Sequence, residues 1–243
     1  MTAQVRSELL KLRTTRTTAQ MLLGALALTL LAVFLEGLPP GTAELGTEHA
    51  QREVFSAVTT APLFATLAGL IAATCEFRYG TIRPTLLVQP RRRIVVAAKL
   101  VTAALAGSVV AAACVVVAFV AGVALLTARG VDIELGRAHV LGLVLGTIAV
   151  GALGAAIGSA VGMLIRNQSG AIIAVLAYAF MVDAVLFEAV PSLGRLLPGK
   201  AGDALIGLPR EHLLAPAAGL AILVAWTVAF AVAAVVRSER ADV

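Results

Sequence analysis

Apolar positions along the chain gather into six long runs separated by polar stretches: Ala19–Leu35, Val54–Cys75, Ile94–Leu126, Val140–Ile165, Ala171–Phe187 and Leu213–Val236. A helix rising 1.5 Å per residue needs about 20 mostly apolar residues to cross a bilayer. Each run is therefore read as a membrane span. The third is too long for one perpendicular crossing and must tilt, kink or project beyond the lipid. Its first turns, including Lys99, are read as a cytoplasmic extension. With Lys99 assigned there, Asp183 is the one ionised residue within the runs.

The polar stretches carry their own patterns. In residues 1–18, Val5, Leu9 and Leu12 recur at helical spacing, with Arg6, Lys11, Arg13 and Arg16 around them. This predicts an amphipathic helix on the membrane surface. Ala19–Leu35 is read as a retained first span rather than a signal peptide, because no small-x-small cleavage pattern follows it. Glu36–Glu53 opens on Pro39, Pro40 and Gly41, a turn signal. Glu188–His212 is broken by Pro191, Pro198 and Pro209, and predicts short interfacial helices around Ser192–Leu197 and Asp203–Ile206. The fold class expected is all-α: one six-span domain over residues 19–243, preceded by the helix of residues 1–18.

Composition agrees with this reading. Of 243 residues, 60% are hydrophobic and 14% charged, where soluble domains have about 45–50% and 25%. The net charge of +5 is topogenic rather than a nucleic-acid footprint, since the basic residues flank apolar runs and form no single stripe. With six spans, thirteen of the nineteen basic residues fall on the side of both termini. The positive-inside rule places that side in the cytoplasm, here of the cell membrane. Cys75 and Cys114 form no CxxC, and His49, His139 and His212 are scattered, so neither a disulfide framework nor a zinc site is expected.

The most informative stretch follows the second span: Glu76-Phe-Arg-Tyr-Gly-Thr-Ile-Arg-Pro-Thr-Leu-Leu-Val-Gln-Pro-Arg-Arg-Arg93. Gly80 breaks the span helix, Thr81 can cap a new one, and Pro84 fits an early helical turn. Ile82, Leu86 and Leu87 give that helix an apolar side, and Pro90 ends it. Arg91, Arg92 and Arg93, with Lys99, read as a cytoplasmic membrane anchor, although the three arginines fit equally well into the loop's working surface. A short helix therefore lies across the cytoplasmic mouth, where a soluble partner can push on two spans.

This loop resembles the corresponding segment of ABC type-2 permeases, the membrane subunits of a class of ATP-binding cassette exporters. Glu76, Gly80, Thr81, Leu86, Leu87, Pro90, Arg92, Arg93 and Lys99 carry the resemblance, with the opening Ser7-Glu-Leu-Leu-Lys-Leu-Arg13. It implies a paired permease, homodimeric or heterodimeric, above two copies of a separate ATPase. ATP and Mg²⁺ would sit on that partner, with no cofactor on this chain. Residues 76–93 would hold the coupling helix, with Glu76, Arg78, Gly80, Thr81, Ile82, Arg83, Leu86, Leu87 and Pro90 facing or bracing the ATPase. Glu76 would pair with a basic group to stiffen the hinge. The implied cargo is hydrophobic or amphipathic: a drug, an antibiotic peptide or a lipid. The alternatives are an ion- or proton-coupled secondary transporter, expected to show more intramembrane charges and paired broken helices, and a non-transporting anchor or sensor.

Three further motifs bear on function. Gly194-Arg-Leu-Leu-Pro-Gly-Lys-Ala201 nearly matches a phosphate-binding loop, but Ala201 lacks the hydroxyl that would hold Mg²⁺. Gly154, Gly158 and Gly162 share one helix face and permit close helix approach. Asp183 could bind a cation, relay a proton or hold a neighbouring helix.

Overall fold

A computed structural model of the protein describes residues 2–38, 41, 45–208 and 210–240. The turn expected at Pro39 and Pro40, and Pro209, lie outside the described residues. Those described are helical or irregular, with no strand among them. Helix α1 is Thr2–Thr14, α2 Arg16–Gly37, α3 Glu48–Ser56, α4 Thr60–Arg78 and α5 Ile82–Val88. Then come α6 Arg92–Ala128, α7 Arg137–Ile165, α8 Gln168–Ala177, α9 Asp183–Ala189, α10 Pro191–Gly194, α11 Pro198–Ile206 and α12 Pro216–Arg240.

Among the described residues, six helical segments are long and apolar enough to cross a membrane: α2, α3–α4, α6, α7, α8–α9 and α12. The chain is thus an all-α polytopic membrane protein. A 3₁₀ turn, Ala57–Thr59, joins α3 to α4. A π turn, Tyr178–Val182, joins α8 to α9, where the sequence had suggested one uniform span. Helix α6 has 37 residues, about 55 Å of helix. It extends beyond the roughly 30 Å of hydrocarbon.

Helices α4, α6 and α7 form the centre. Backbones meet there because small residues line the seam. A Cβ on Gly158 would collide with the Thr66 carbonyl, one on Gly69 with the Ala155 carbonyl, and one on Gly107 with the Gly151 carbonyl. Gly154 and Gly162 face Thr66 Oγ1 and the Leu70 carbonyl of the same helix α4. All three glycines of the expected face therefore line contacts within one chain.

At the end remote from α5, Gln51 of α3 is fully buried. Its amide donates to the Leu45 and Asp132 carbonyls and accepts from the Glu134 N–H. That staples α3 to the α6–α7 connection. The segment after α9 does not lie flat on a surface. Helix α11 packs between α7 and α12, with Leu205 and Ile206 against Gly146 and Ala201 against Gly219. Trp226, midway along α12, donates to the Leu196 carbonyl at 2.9 Å. The chain therefore dips back into the bundle between its last two spans. The first expected short helix is a single turn, α10, and the second starts earlier than expected, at Pro198.

Candidate functional site

Helix α4 ends because Gly80 takes the left-handed conformation (φ +69) that its missing Cβ permits. The chain turns there into α5. Thr81 stands at the N-cap, yet its hydroxyl makes no capping bond. Its carbonyl instead accepts from the Thr85 hydroxyl. Pro84 lies in the first turn, as its missing N–H allows. Gln89 is extended because the following Pro90 disfavours a helical conformation in the residue before it, and α5 ends there.

Helix α5 buries none of its residues. Ile82 and Leu86, four apart, are half-buried. Leu87 does not share their side as the sequence had suggested: Leu87 and Val88 are 85% and 86% exposed and project outward. Arg83 and Arg91 are exposed too. This apolar tip, with exposed Tyr79 beside it, lies beyond the ends of two spans.

Behind α5 lies a buried ionic network that joins three elements. Lys99 of α6 places its ammonium 2.5 Å from Glu76 Oε1 of α4 and 2.9 Å from Glu8 Oε2 of α1. Lys11 of α1 lies 2.8 Å from Glu8 Oε1 and 2.9 Å from Glu76 Oε1. Two acids and two lysines balance. Among these four, only the Lys11 side chain reaches solvent appreciably. Burial pushes the Glu8 carboxyl up, but Lys99 and Lys11 outweigh it and hold it below the usual carboxylate range. Burial pulls Lys11 down, and Glu8 and Glu76 carry it above the usual lysine value. Breaking such a buried pair from one side typically costs about 3–5 kcal/mol.

Two sequence expectations change here. Lys99, grouped with the arginines as a membrane anchor, is 6% exposed and sits inside the network. The α1 face turned to the bundle carries buried Glu8, while Leu10 is exposed, so α1 docks through charge as well as through Val5 and Leu12. Arg92 and Arg93 also have protein partners. Arg92 donates to the Ser238 carbonyl. Arg93 pairs with Glu239 at 2.5 Å, tying the start of α6 to the end of α12. Arg78 donates to Gln168 at 3.1 Å, linking α4 to α8. A cleft of about 410 Å³ opens beside the network, lined by Glu8, Lys11, Cys75, Glu76, Tyr79 and Thr81.

Asp183 lies elsewhere. Its N–H donates to the Tyr178 carbonyl, closing the π turn, and the Tyr178 hydroxyl donates to its carboxylate at 3.1 Å. Lys200 of α11 approaches Asp183 Oδ2 at 3.5 Å and Asp203 at 3.2 Å. Arg210 stands 3.4 Å from Asp203. The carboxylate packs over Gly199, where a Cβ would come within 2.6 Å of it. Of the three roles open to Asp183, this geometry supplies helix holding: it ties α9 to α11. The segment that mimics a phosphate loop runs from the last residue of α10 into the first turn of α11, and its lysine is committed to this cluster. Lys200 was expected in the polar stretch Glu188–His212, outside the spans, and is instead buried. The Tyr178 and Lys200 partners were missed because they come from a local widening of the helix and from a chain reversal.

The fold and the braced helix define a class: a multi-pass membrane protein with a small exposed helix between two spans. The model of the family described as ABC-2 family transporter protein matches residues 4–183, from α1 to Asp183. The chain belongs to that family, and so is a permease subunit of an ABC transporter that relies on a separate ABC ATPase. No curated protein matches it. All four network residues lie within the matched stretch.

Proposed function

We propose that this chain is the membrane subunit of an ATP-driven exporter and that α5 is its coupling helix. The observation carrying this reading is the exposed Leu87–Val88 tip on a helix backed by the Glu8–Lys99–Glu76–Lys11 network. An apolar tip suits a groove on a soluble partner. The network turns a push on α5 into joint movement of α1, α4 and α6, because none of the three can shift without separating buried charges. Glu76, Arg78, Gly80, Thr81, Ile82, Arg83, Leu86, Leu87 and Pro90 are the coupling residues in this reading, and Arg91 the exposed headgroup anchor.

ATP and Mg²⁺ bind the partner, present in two copies beneath two permeases, identical or related. Both termini and α5 face the cytoplasm of the cell membrane. The cargo is hydrophobic or amphipathic, such as a drug, an antibiotic peptide or a lipid, and moves outward. A cleft of about 680 Å³ between α2 and α6, lined almost wholly by apolar side chains such as Leu30, Phe34, Val116 and Val120, supports that polarity. The charge-balanced Asp183 cluster gives no support to an ion-coupled mechanism.

The test is recovery of the native complex from membranes, reconstitution in lipid, and ATPase measurement with candidate cargoes. An ATP-hydrolysing partner stimulated by an apolar cargo, and released by Leu87→Asp with Val88→Asp, is the expected result. Full ATPase association and transport in that double variant would overturn the coupling assignment.

A further inference from the structure

At the α5 end of the bundle, a cleft of about 530 Å³ lies between Arg166, the residue just after α7, and the terminal turns of α12. Its floor is apolar: Ala229, Val232, Ala233 and Val236 recur at helical spacing on one exposed face of α12. Arg237 and Arg240 continue that face one turn further, and Arg166 closes the cleft from the opposite side. The acid nearest in sequence, Glu239, is taken by Arg93. No described acid pairs with Arg166, Arg237 or Arg240.

Arg166 is the most telling of the three. It occupies the left-handed position after α7 (φ 59), donating its N–H to the Gly162 carbonyl. Helices usually place Gly or Asn there, and other side chains adopt that region uncommonly and at a cost. Its Nε is buried with no hydrogen-bond partner. Burial, then the charges of Arg237 and Arg92, hold its guanidinium below the ordinary arginine value. An ordinary topology anchor needs neither the strained backbone nor a shared cleft, because scattered exposed arginines satisfy the positive-inside rule equally well.

We propose that this cleft binds an anionic phospholipid, its phosphate held by Arg166, Arg237 and Arg240 and one acyl chain lying along Ala229–Val236. Guanidinium groups bind phosphate bidentately, and the Arg166 guanidinium is held in place over the Phe77 ring, 5.2 Å from its centroid, at the edge of the cleft. The site lies in the leaflet next to α5. The inference rests on the membrane reading of the six helices and is independent of any cargo.

The test is native mass spectrometry of the full chain, delipidated in neutral detergent and titrated with dioleoylphosphatidylglycerol or dioleoylphosphatidylcholine. The expected result is selective retention of phosphatidylglycerol. Arg166→Gly should lower that retention about fivefold, the effect of one interfacial arginine, while keeping or raising thermal stability, since Gly suits the position. Arg237→Gln with Arg240→Gln, both exposed, should lower it further, while Arg6→Gln with Arg13→Gln leaves it unchanged. Equal retention of the two lipids overturns the proposal, as does unchanged retention in the cleft variants. Complete displacement by inorganic phosphate at matched concentration would make this a free-anion site and overturn the lipid assignment. Normal lipid retention with lost ATPase association in the Arg237/Arg240 variant would assign the arginines to the partner instead.

Discussion

The ammonium of Lys99 lies 2.5 Å from the Glu76 carboxylate, with the whole of α5 between them in sequence. One ion pair therefore closes the loop that presents α5, and Glu8 and Lys11 bring α1 to the same point. Lys99→Met should destabilise the folded protein by about 3–5 kcal/mol, because it leaves two buried acids sharing Lys11. Removing the opposing charge as well, in Lys99→Met with Glu76→Gln, should recover part of that loss, because Glu8 and Lys11 then remain as a balanced pair. Thermal denaturation followed by size-exclusion chromatography measures both. A wild-type melting profile for Lys99→Met would show that the pair contributes nothing.

The α5 tip should behave differently. Leu87 and Val88 touch little of their own chain, and exposed substitutions usually change stability by less than about 0.5 kcal/mol. Leu87→Asp should therefore leave the melting temperature unchanged and abolish ATPase binding or coupling. Loss of fold together with coupling would mean that the tip serves the permease itself.

Two glycines of α7 give a paired test of packing. Gly142 faces open space, whereas a Cβ on Gly158 collides with the Thr66 carbonyl. Gly142→Ala should be neutral or stabilising by up to about 1 kcal/mol, as expected for Ala in a helix interior. Gly158→Ala should cost about 1–3 kcal/mol from overpacking. Equal melting temperatures for the two variants would contradict the seam.

Acid should release α1. Glu8 titrates below its ordinary value of 4.5 in the folded protein. Its stabilising contribution is then complete above that value and is lost as pH falls through the folded pKa. The stability gap between wild type and Glu8→Gln should stay constant from neutral pH down to about 5 and shrink below it. Lys11 has the opposite sign: its contribution holds below 10.5 and fades as pH rises through the folded value. A gap that widens in acid would reverse the assignment for Glu8.

The six spans and α5 were legible because hydropathy, Gly80 and Pro90 act locally. A run such as Val140–Ile165 needs no partner to be recognised. The charges were harder. Lys99 and Lys200 resembled loop charges, since their counter-ions lie on other elements: Glu8 and Glu76 for one, Asp183 for the other. The available signal for Lys99 was Glu8 and Lys11, one helical turn apart and opposite in sign beside an apolar run. The in-dipping α10–α11 segment was hidden by its prolines, which read as surface loop. The outward aim of Leu87 could not be separated from that of Leu86 by composition.

The seam between α4 and α7 has a kinematic consequence. Where carbonyls rest on glycines, no side chain can swing to let one helix slide past the other. The pair is a keel that moves as one piece when α5 is pushed, and rearrangement relative to it must fall to the helices hung around it, α2, α8–α9 and α12, whose surfaces are mostly turned away from the protein. Cysteine cross-links across the keel should spare turnover, and cross-links from α2 to α6 should arrest it.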